Sequence, residues 1–187
     1  MNKKLITGLT IAILVIAAVI GTYLLLNNKS SENTSSGSSS ASSDKKLVAL
    51  KACELLTLTE AKQLMGESAT EGSNTSPTSS NDINVDTCSY INNATSVPAI
   101  RTVTVMARSA LTSDGLDSNK EAFEAGGAAN QSGAVAVEGY GDKAFWDPTT
   151  HQLAILSGNT WIGIVYGGTN PANNTLDDAK KVADLIK

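Results

Sequence analysis

The chain has 187 residues, of which 41% are hydrophobic and 17% are charged, and its formal net charge is −4. This length suits one globular domain with additional segments rather than two full domains. Beyond residue 29, 11 Lys and Arg residues face 18 Asp and Glu residues, which is a formal net charge of −7. Nucleic acids and anionic lipid headgroups attract clustered Lys and Arg, so the acidic balance argues against a nucleic-acid partner.

The N-terminus predicts a membrane anchor. Residues 1–4, MNKK, precede an uncharged apolar run of 22 residues, 5–26. A helix of that length crosses a hydrocarbon core about 30 Å thick. Lys3 and Lys4 place residues 1–4 in the cytoplasm, so the chain should cross the cell membrane once with its remainder outside. The alternative is a signal peptide cleaved near Gly21, although the apolar core of such peptides usually spans about 7 to 15 residues.

Residues 27–46 predict a disordered linker between the anchor and a folded domain. Serine dominates the segment, and large apolar residues are absent. A segment with nothing to bury cannot offset the entropy lost on ordering. A flexible chain of this length has a root-mean-square reach of about 25 Å. Residues 47–187 then form the extracytoplasmic domain.

The patterns within residues 47–187 predict an α+β domain, with an antiparallel sheet of about five to six strands packed with three helices. Thr57 and Glu60 form a capping box for a helix over residues 58–65, which ends at Gly66. A long surface loop is expected over residues 68–82, because that segment is polar. Strands are expected over residues 85–91 and 101–109.

The C-terminal half continues with a helix, a meander of strands and a last helix. Ser118 and Glu121 match a second capping box, for a helix that ends at residues 126–127. Strand patterns follow in AVAVEG, DKAFWD, HQLAILS and TWIGIVYG, and turn residues at 147–150 and 158–159 predict an antiparallel meander over residues 143–167. Thr175 caps the last helix, whose first turn is acidic and whose second turn is basic.

The chain has only two cysteines, Cys53 and Cys88. Lipid attachment at Cys53 would require a lipobox directly after the apolar run, whereas Cys53 lies 27 residues beyond Leu26 and Lys51 interrupts the pattern. A nucleophilic cysteine would need a base, and the single histidine, His151, is interpreted as an exposed turn residue. Both cysteines are expected outside the membrane, where disulfides are often permitted, so we expect them to form one.

Three short patterns carry a resemblance to a known family. They are C-x-L-L-T-x-x-E-A-x-x-L-x-G from Cys53 to Gly66, C-x-Y from Cys88 to Tyr90, and G-x-G-D-x-A-x-W from Gly139 to Trp146. In this order they resemble a family of secreted, mostly lipid-anchored bacterial cell-envelope proteins of uncharacterised function, best represented among actinobacteria. The resemblance implies a sheet backed by helices and a disulfide between the matched cysteines. The predicted helical anchor departs from the lipobox that is usual in the family.

The segment VEGYGDKAFWD offers the candidate binding residues. Tyr140 and Trp146 carry large amphipathic rings, as does Trp161 further on, and Asp142 can accept backbone hydrogen bonds. The simpler interpretation is a tight turn into a strand whose aromatic residue fills the core. An acid–base pair of Asp142 and Asp147 would require a separation of about 5 to 9 Å across a cleft.

Two functions of different classes remain at this point. The first is a binding module for an envelope protein or a small envelope ligand, favoured by a contiguous apolar groove near Tyr140, Trp146 and Trp161. The second is a passive structural component of a surface complex. We do not expect an enzyme, a cofactor or a metal site. A hydrolase would lose turnover on substitution of Asp142 or His151.

Overall fold

The computed structural model describes residues 47–72, 74–96, 99–126, 133–170 and 174–186. The predicted cytoplasmic tip, anchor and linker, residues 1–46, lie outside these ranges. Among the described residues, no helix is long and apolar enough to cross a membrane.

The described residues form one antiparallel sheet with helices packed on it. The strands are β1 Ala69–Glu71, β2 Thr75–Ser79, β3 Ile83–Asn92, β4 Arg101–Ala110, β5 Val135–Ala136, β6 Lys143–Asp147, β7 Gln152–Ser157 and β8 Thr160–Gly168. The helices are α1 Ala52–Leu55, α2 Leu58–Met65, α3 Ser113–Glu121 and α4 Leu176–Ala183, with a π-helical turn at Ala122–Gly126. The predicted α+β class is confirmed.

The strand order is β1-β3-β4-β8-β7-β6-β5, and β2 also pairs with β3. Every pairing is antiparallel. The meander predicted over residues 143–167 is confirmed as β6, β7 and β8. Within the described ranges the sheet has eight strands instead of five to six, and four helices instead of three pack with it. The additional elements are short: α1 is a single turn, and β1 and β2 lie in the polar segment that predicted a loop.

The two faces of the sheet have separate cores. The front face carries Val103, Val105 and Ala107 of β4, and it packs against α1, α2 and α4. The back face carries Phe145, Leu156 and Trp161, which pack around Phe123 of the π-helical turn. Buried and partly buried residues alternate from Val103 to Arg108 along β4, because its front is covered by helices while most of its back is only partly covered.

Helix α2 has the predicted limits. The Thr57 hydroxyl accepts from the Glu60 backbone N–H, and the Glu60 carboxylate accepts from the Thr57 backbone N–H at 2.7 Å, so both halves of the capping box are present. Gly66 ends the helix with φ +91°. The capping box predicted for α3, with Ser118 and Glu121, is wrong. That helix begins at Ser113, and its cap is Thr112, whose hydroxyl accepts from the Gly115 N–H at 3.1 Å.

The predicted Cys53–Cys88 disulfide is confirmed, with an S–S distance of 2.03 Å and a Cα–Cα distance of 5.1 Å. It attaches α1 to the middle of β3. Two hydrogen bonds join the same parts: the Ala52 N–H donates to the Asp86 carboxylate at 2.9 Å, and the Tyr90 hydroxyl donates to the Leu56 carbonyl at 2.8 Å.

Candidate functional site

The two tryptophans predicted as binding residues lie on opposite faces of the sheet. Trp146 is only 8% exposed and belongs to the front-face core. Trp161 packs on the back face against Phe123, with ring centroids 5.9 Å apart. The two rings therefore cannot line one groove. The simpler interpretation of this segment, a turn leading into a strand that fills the core, describes Trp146.

Tyr140 and Asp142 connect neighbouring elements. The Tyr140 hydroxyl donates to the Asp184 carboxylate at 2.9 Å, and burial together with this bond raises the pKa of Tyr140. The Asp142 carboxylate accepts from the Gly158 N–H at 2.7 Å and so holds the turn between β7 and β8. Gly141 has φ +56°, and a Cβ there would lie 2.4 Å from the Leu156 carbonyl oxygen, so this approach requires glycine.

Asp142 and Asp147 do not form an acid–base pair. Asp142 precedes β6 and Asp147 ends it, which separates their Cα atoms by about 16 Å at the usual strand rise of about 3.3 Å per residue. The Asp147 carboxylate accepts from the Thr149 N–H at 2.7 Å and from the Thr150 hydroxyl at 2.6 Å. Both of its oxygens therefore hold the turn that follows β6.

His151 is not the exposed turn residue that the sequence suggested. It has φ +54°, its side chain is partly buried, and its ring lies 6.2 Å from that of Trp146. Its Nδ1 is 3.1 Å from the carbonyl oxygen of Asn174. His151 thus joins the turn between β6 and β7 to the segment that leads into α4.

A polar cleft lies where β4 begins, β8 ends and α4 begins. Its volume is about 230 Å³, and the residues that line it are Arg101, Tyr166, Gly167, Asp178 and Lys181. The antiparallel register brings the first two together, because Arg101 is opposite Gly168 and Val103 is opposite Tyr166. Helix α4 adds Asp178 and Lys181, which are three residues apart and share one side of the helix.

The acidic residue of the cleft, Asp178, already forms an ion pair with Lys181. Asp178 accepts from the Lys181 ammonium at 2.6 Å and from the Thr175 hydroxyl at 3.0 Å. The bond from Lys181 lowers the pKa of Asp178 more than burial raises it, and the same bond raises the pKa of Lys181. Asp178 is therefore ionised at neutral pH, and its charge is offset within its own helix.

Arg101 is the second cation that lines the cleft. It has no ion pair with any acid in the described ranges, although its charge contributes to the lowered pKa of Asp178. The nearby Tyr166 hydroxyl donates to the Leu64 carbonyl at 3.0 Å, and burial raises the pKa of Tyr166. Taken together, the lining groups carry one unmatched positive charge.

Asn174 positions α4 against the end of β8. Its side-chain oxygen accepts from the Gly168 N–H at 3.0 Å. The side chain occupies the space beside Gly167 so fully that a Cβ at Gly167 would lie 1.6 Å from that oxygen. Asn174 is 9% exposed, and its carbonyl contacts His151. Gly167, Asn174 and His151 are thus positioning residues for the cleft.

Sequence reasoning did not identify this cleft. Its residues come from three elements and are spread over 80 positions, and none of them belongs to a motif. The available signal was Arg101 as the first residue of a strand pattern whose other charged residue is Arg108. It becomes informative only when β4 pairs with β8.

No other constellation of functional groups is evident in the described ranges, where no group of three or more His, Cys, Asp or Glu residues could hold a metal ion. Comparisons of the chain with protein-family models, with curated proteins and with solved structures found no match. The resemblance to envelope proteins stays a prediction, and the functional argument depends on the residues of this chain.

Proposed function

We propose that residues 47–187 are a binding module of the cell envelope, held outside the membrane by an anchor at residues 5–26, and that the polar cleft is its binding site. The observation that carries this proposal is the unmatched Arg101 in a concave site. Elsewhere the protein is acidic, so a cleft with one excess positive charge would attract a ligand or partner segment of opposite sign.

Binding is favoured over turnover by the way the lining groups are used. Both Asp178 oxygens accept hydrogen bonds from within α4 or its cap, and the Tyr166 proton is donated to a backbone carbonyl. A general acid or base needs a proton that it can exchange with the substrate. The groups in this cleft are better suited to hold a ligand than to transform it.

The test is site-specific photo-crosslinking of the full-length protein in intact cells. A crosslinking amino acid replaces Asp177, an exposed residue in the first turn of α4 beside the cleft. The matched control replaces Asp114, an exposed residue in the first turn of α3. We expect a discrete product from position 177 only, and we expect Arg101→Ala to abolish it.

Two results would contradict the proposal. Equal products from positions 177 and 114 would indicate a passive component that is surrounded by its complex. Products that persist in the Arg101→Ala protein would separate the interaction from the cleft. The Lys180→Ala protein provides the comparison for loss of one positive charge from the same region of the surface.

A further inference from the structure

The hydrogen-bonding groups of the cleft define the chemistry of what it would hold. We infer that the ligand is an oxyanion, a phosphate or a carboxylate, which carries a hydroxyl group next to its charged head. This inference rests on the proposed function and adds the ligand class to it.

The negative charge of the ligand is inferred from the ion pairs within the cleft. Asp178 and Lys181 are bonded to each other at 2.6 Å, whereas Arg101 has no ion pair in the described part of the chain. A guanidinium presents five N–H donors in a planar fork that matches a carboxylate or phosphate through two parallel bonds. Lys181 has three donors and uses one on Asp178, so it can support the same oxyanion.

The hydroxyl group of the ligand is inferred from the hydrogen-bond acceptors that line the cleft. The Tyr166 hydroxyl donates its proton to Leu64, so towards the cleft its oxygen can only accept. The Asp178 carboxylate is ionised and also only accepts. Each Asp178 oxygen already accepts one bond, and an ion without a proton to donate, such as acetate, would leave the remaining lone pairs of these acceptors unused. A ligand hydroxyl beside the oxyanion would supply the missing donor.

Size and lining limit the part of the ligand that is held. The cleft volume of about 230 Å³ lies below the range of about 300 to 1,000 Å³ that is usual for pockets that enclose a drug-sized ligand. Four of the five lining residues are charged or carry a hydroxyl, and the fifth is glycine. An acyl chain or an aromatic ring would find no apolar wall there. The site therefore suits a hydrophilic head group, which could belong to a glycerol phosphate unit or to a sugar acid.

The experiment is calorimetric titration of the full-length protein in nanodiscs of zwitterionic phosphatidylcholine. The probes are glycerol 3-phosphate and glucuronate, which separate the phosphate source from the carboxylate source. Propyl phosphate lacks the hydroxyls, and glycerol and glucose lack the charge. We expect at least one of the hydroxylated anions to bind, propyl phosphate to bind more weakly, and the neutral probes not to bind.

The variant series connects binding to the cleft. Arg101→Ala should weaken binding of the hydroxylated anion by a factor between about ten and a hundred, which is the range for one lost charge-assisted bond. Lys180→Ala removes a positive charge from α4 outside the cleft, and it should change the affinity less than about twofold. Equal urea midpoints for the two variants would exclude unfolding as the cause.

The possible outcomes separate the two proposals. If neither hydroxylated anion binds, or if propyl phosphate binds as tightly as glycerol 3-phosphate, the inferred ligand class is wrong. If the titrations fail in one of these ways but Arg101→Ala still abolishes the crosslink at position 177, the proposal of a binding module stands and its ligand is of another class. If the crosslink is also absent, both proposals fail.

Discussion

Asp147 is 2% exposed, and its carboxylate nevertheless keeps its charge. Burial alone would raise the pKa of Asp147, but hydrogen bonds from the Thr150 hydroxyl and from the backbone N–H groups of Thr149 and Thr150 together lower this pKa below its ordinary value. These donors stabilise the ionised form in the folded state only. Asp147 is therefore a source of pH-dependent stability that is independent of the cleft.

We expect Asp147→Asn to lower the free energy of unfolding by about 1 to 3 kcal/mol at pH 7, because an amide N–H₂ would face the Thr150 donor. The folded pKa of Asp147 lies below its unfolded value, so its contribution is complete above about pH 4 and is lost as the pH falls through the folded pKa. Urea denaturation at pH 7 and pH 3 should show a smaller difference between variant and wild type at pH 3. A stability difference between variant and wild type that is the same at pH 3 and pH 7 would refute this role of Asp147. The control is Glu138→Gln, which changes an exposed carboxylate.

Gly167 and Asn174 are coupled by contact. We expect Gly167→Ala to destabilise the domain by about 1 to 3 kcal/mol, because the new methyl group must displace the Asn174 side chain. Asn174→Ala alone loses the bond to the Gly168 N–H but makes room for that methyl group. The double variant should therefore be less destabilised than the sum of the single variants. Additive effects in urea denaturation would show that the two sites are independent.

At the scale of elements, the capping hydroxyls define where the helices begin. Thr57, Thr112 and Thr175 each accept from a backbone N–H in the first turn of α2, α3 and α4. The Thr112 hydroxyl also donates to the Asp82 carboxylate at 2.8 Å, and so it joins α3 to the loop before β3. Replacement of such a cap affects both the helix and this connection.

We expect Thr112→Ala to lower the free energy of unfolding by about 0.5 to 2 kcal/mol, and Thr112→Ser to restore most of the loss, because serine retains the hydroxyl. The measurement is urea denaturation, with helix content followed by circular dichroism. If the alanine variant were as stable as wild type, Thr112 would not be the cap. The cap suggested by the sequence, Ser118, instead accepts from the Arg108 guanidinium at 3.2 Å.

The elements that the sequence predicted correctly are those with strong local signals. Helix α2 has a complete capping box and a glycine stop, and β4 begins with alternating Thr and Val residues. The beginning of α3 was predicted wrongly because Ser118 and Glu121 match the capping-box spacing by coincidence. Strands β1 and β2 were missed because a polar edge strand can be held by backbone pairing with its neighbour, which leaves no apolar pattern to detect.

The functional residues were harder to predict than the fold. Tyr140, Asp142, Trp146 and Trp161 were chosen for their chemistry, and the structure places them in turns and in two separate cores. The cleft depends on pairing between residues 101 and 168 and on the docking of α4. Such long-range contacts do not produce a fixed sequence spacing that could be recognised as a motif.

At the scale of the whole molecule, the disulfide closes a covalent loop with a sequence separation of 35. This loop contains α2, β1 and β2, whose residues connect the front face to one edge of the sheet. Cross-linking limits the conformations of the unfolded chain, and longer loops are limited more.

We expect reduction of this disulfide to lower the free energy of unfolding by about 3 to 4 kcal/mol. The Cys53→Ser/Cys88→Ser protein should show the same loss, and it should not respond to reductant. Urea denaturation with and without reductant measures the loss of stability on reduction and the response of the double variant to reductant. Labelling of the unreduced, unfolded wild-type protein by iodoacetamide would contradict the disulfide itself.

The place where the chain enters the domain has a mechanical consequence. Near residue 48 the chain is held by bonds from the Leu50 N–H to the Ser109 hydroxyl and from the Asn159 amide to the Val48 carbonyl. Ser109 lies at the end of β4 opposite to Arg101 and the cleft. If the chain were pulled between a membrane anchor and a ligand in the cleft, tension would pass from Cys53 through the disulfide to Cys88 in β3. Residues 54–87 lie inside the covalent loop and would carry little of that force. Helix α2 would therefore keep its hydrogen bond to Tyr166, while the long pairing of β3 with β4 resisted in shear.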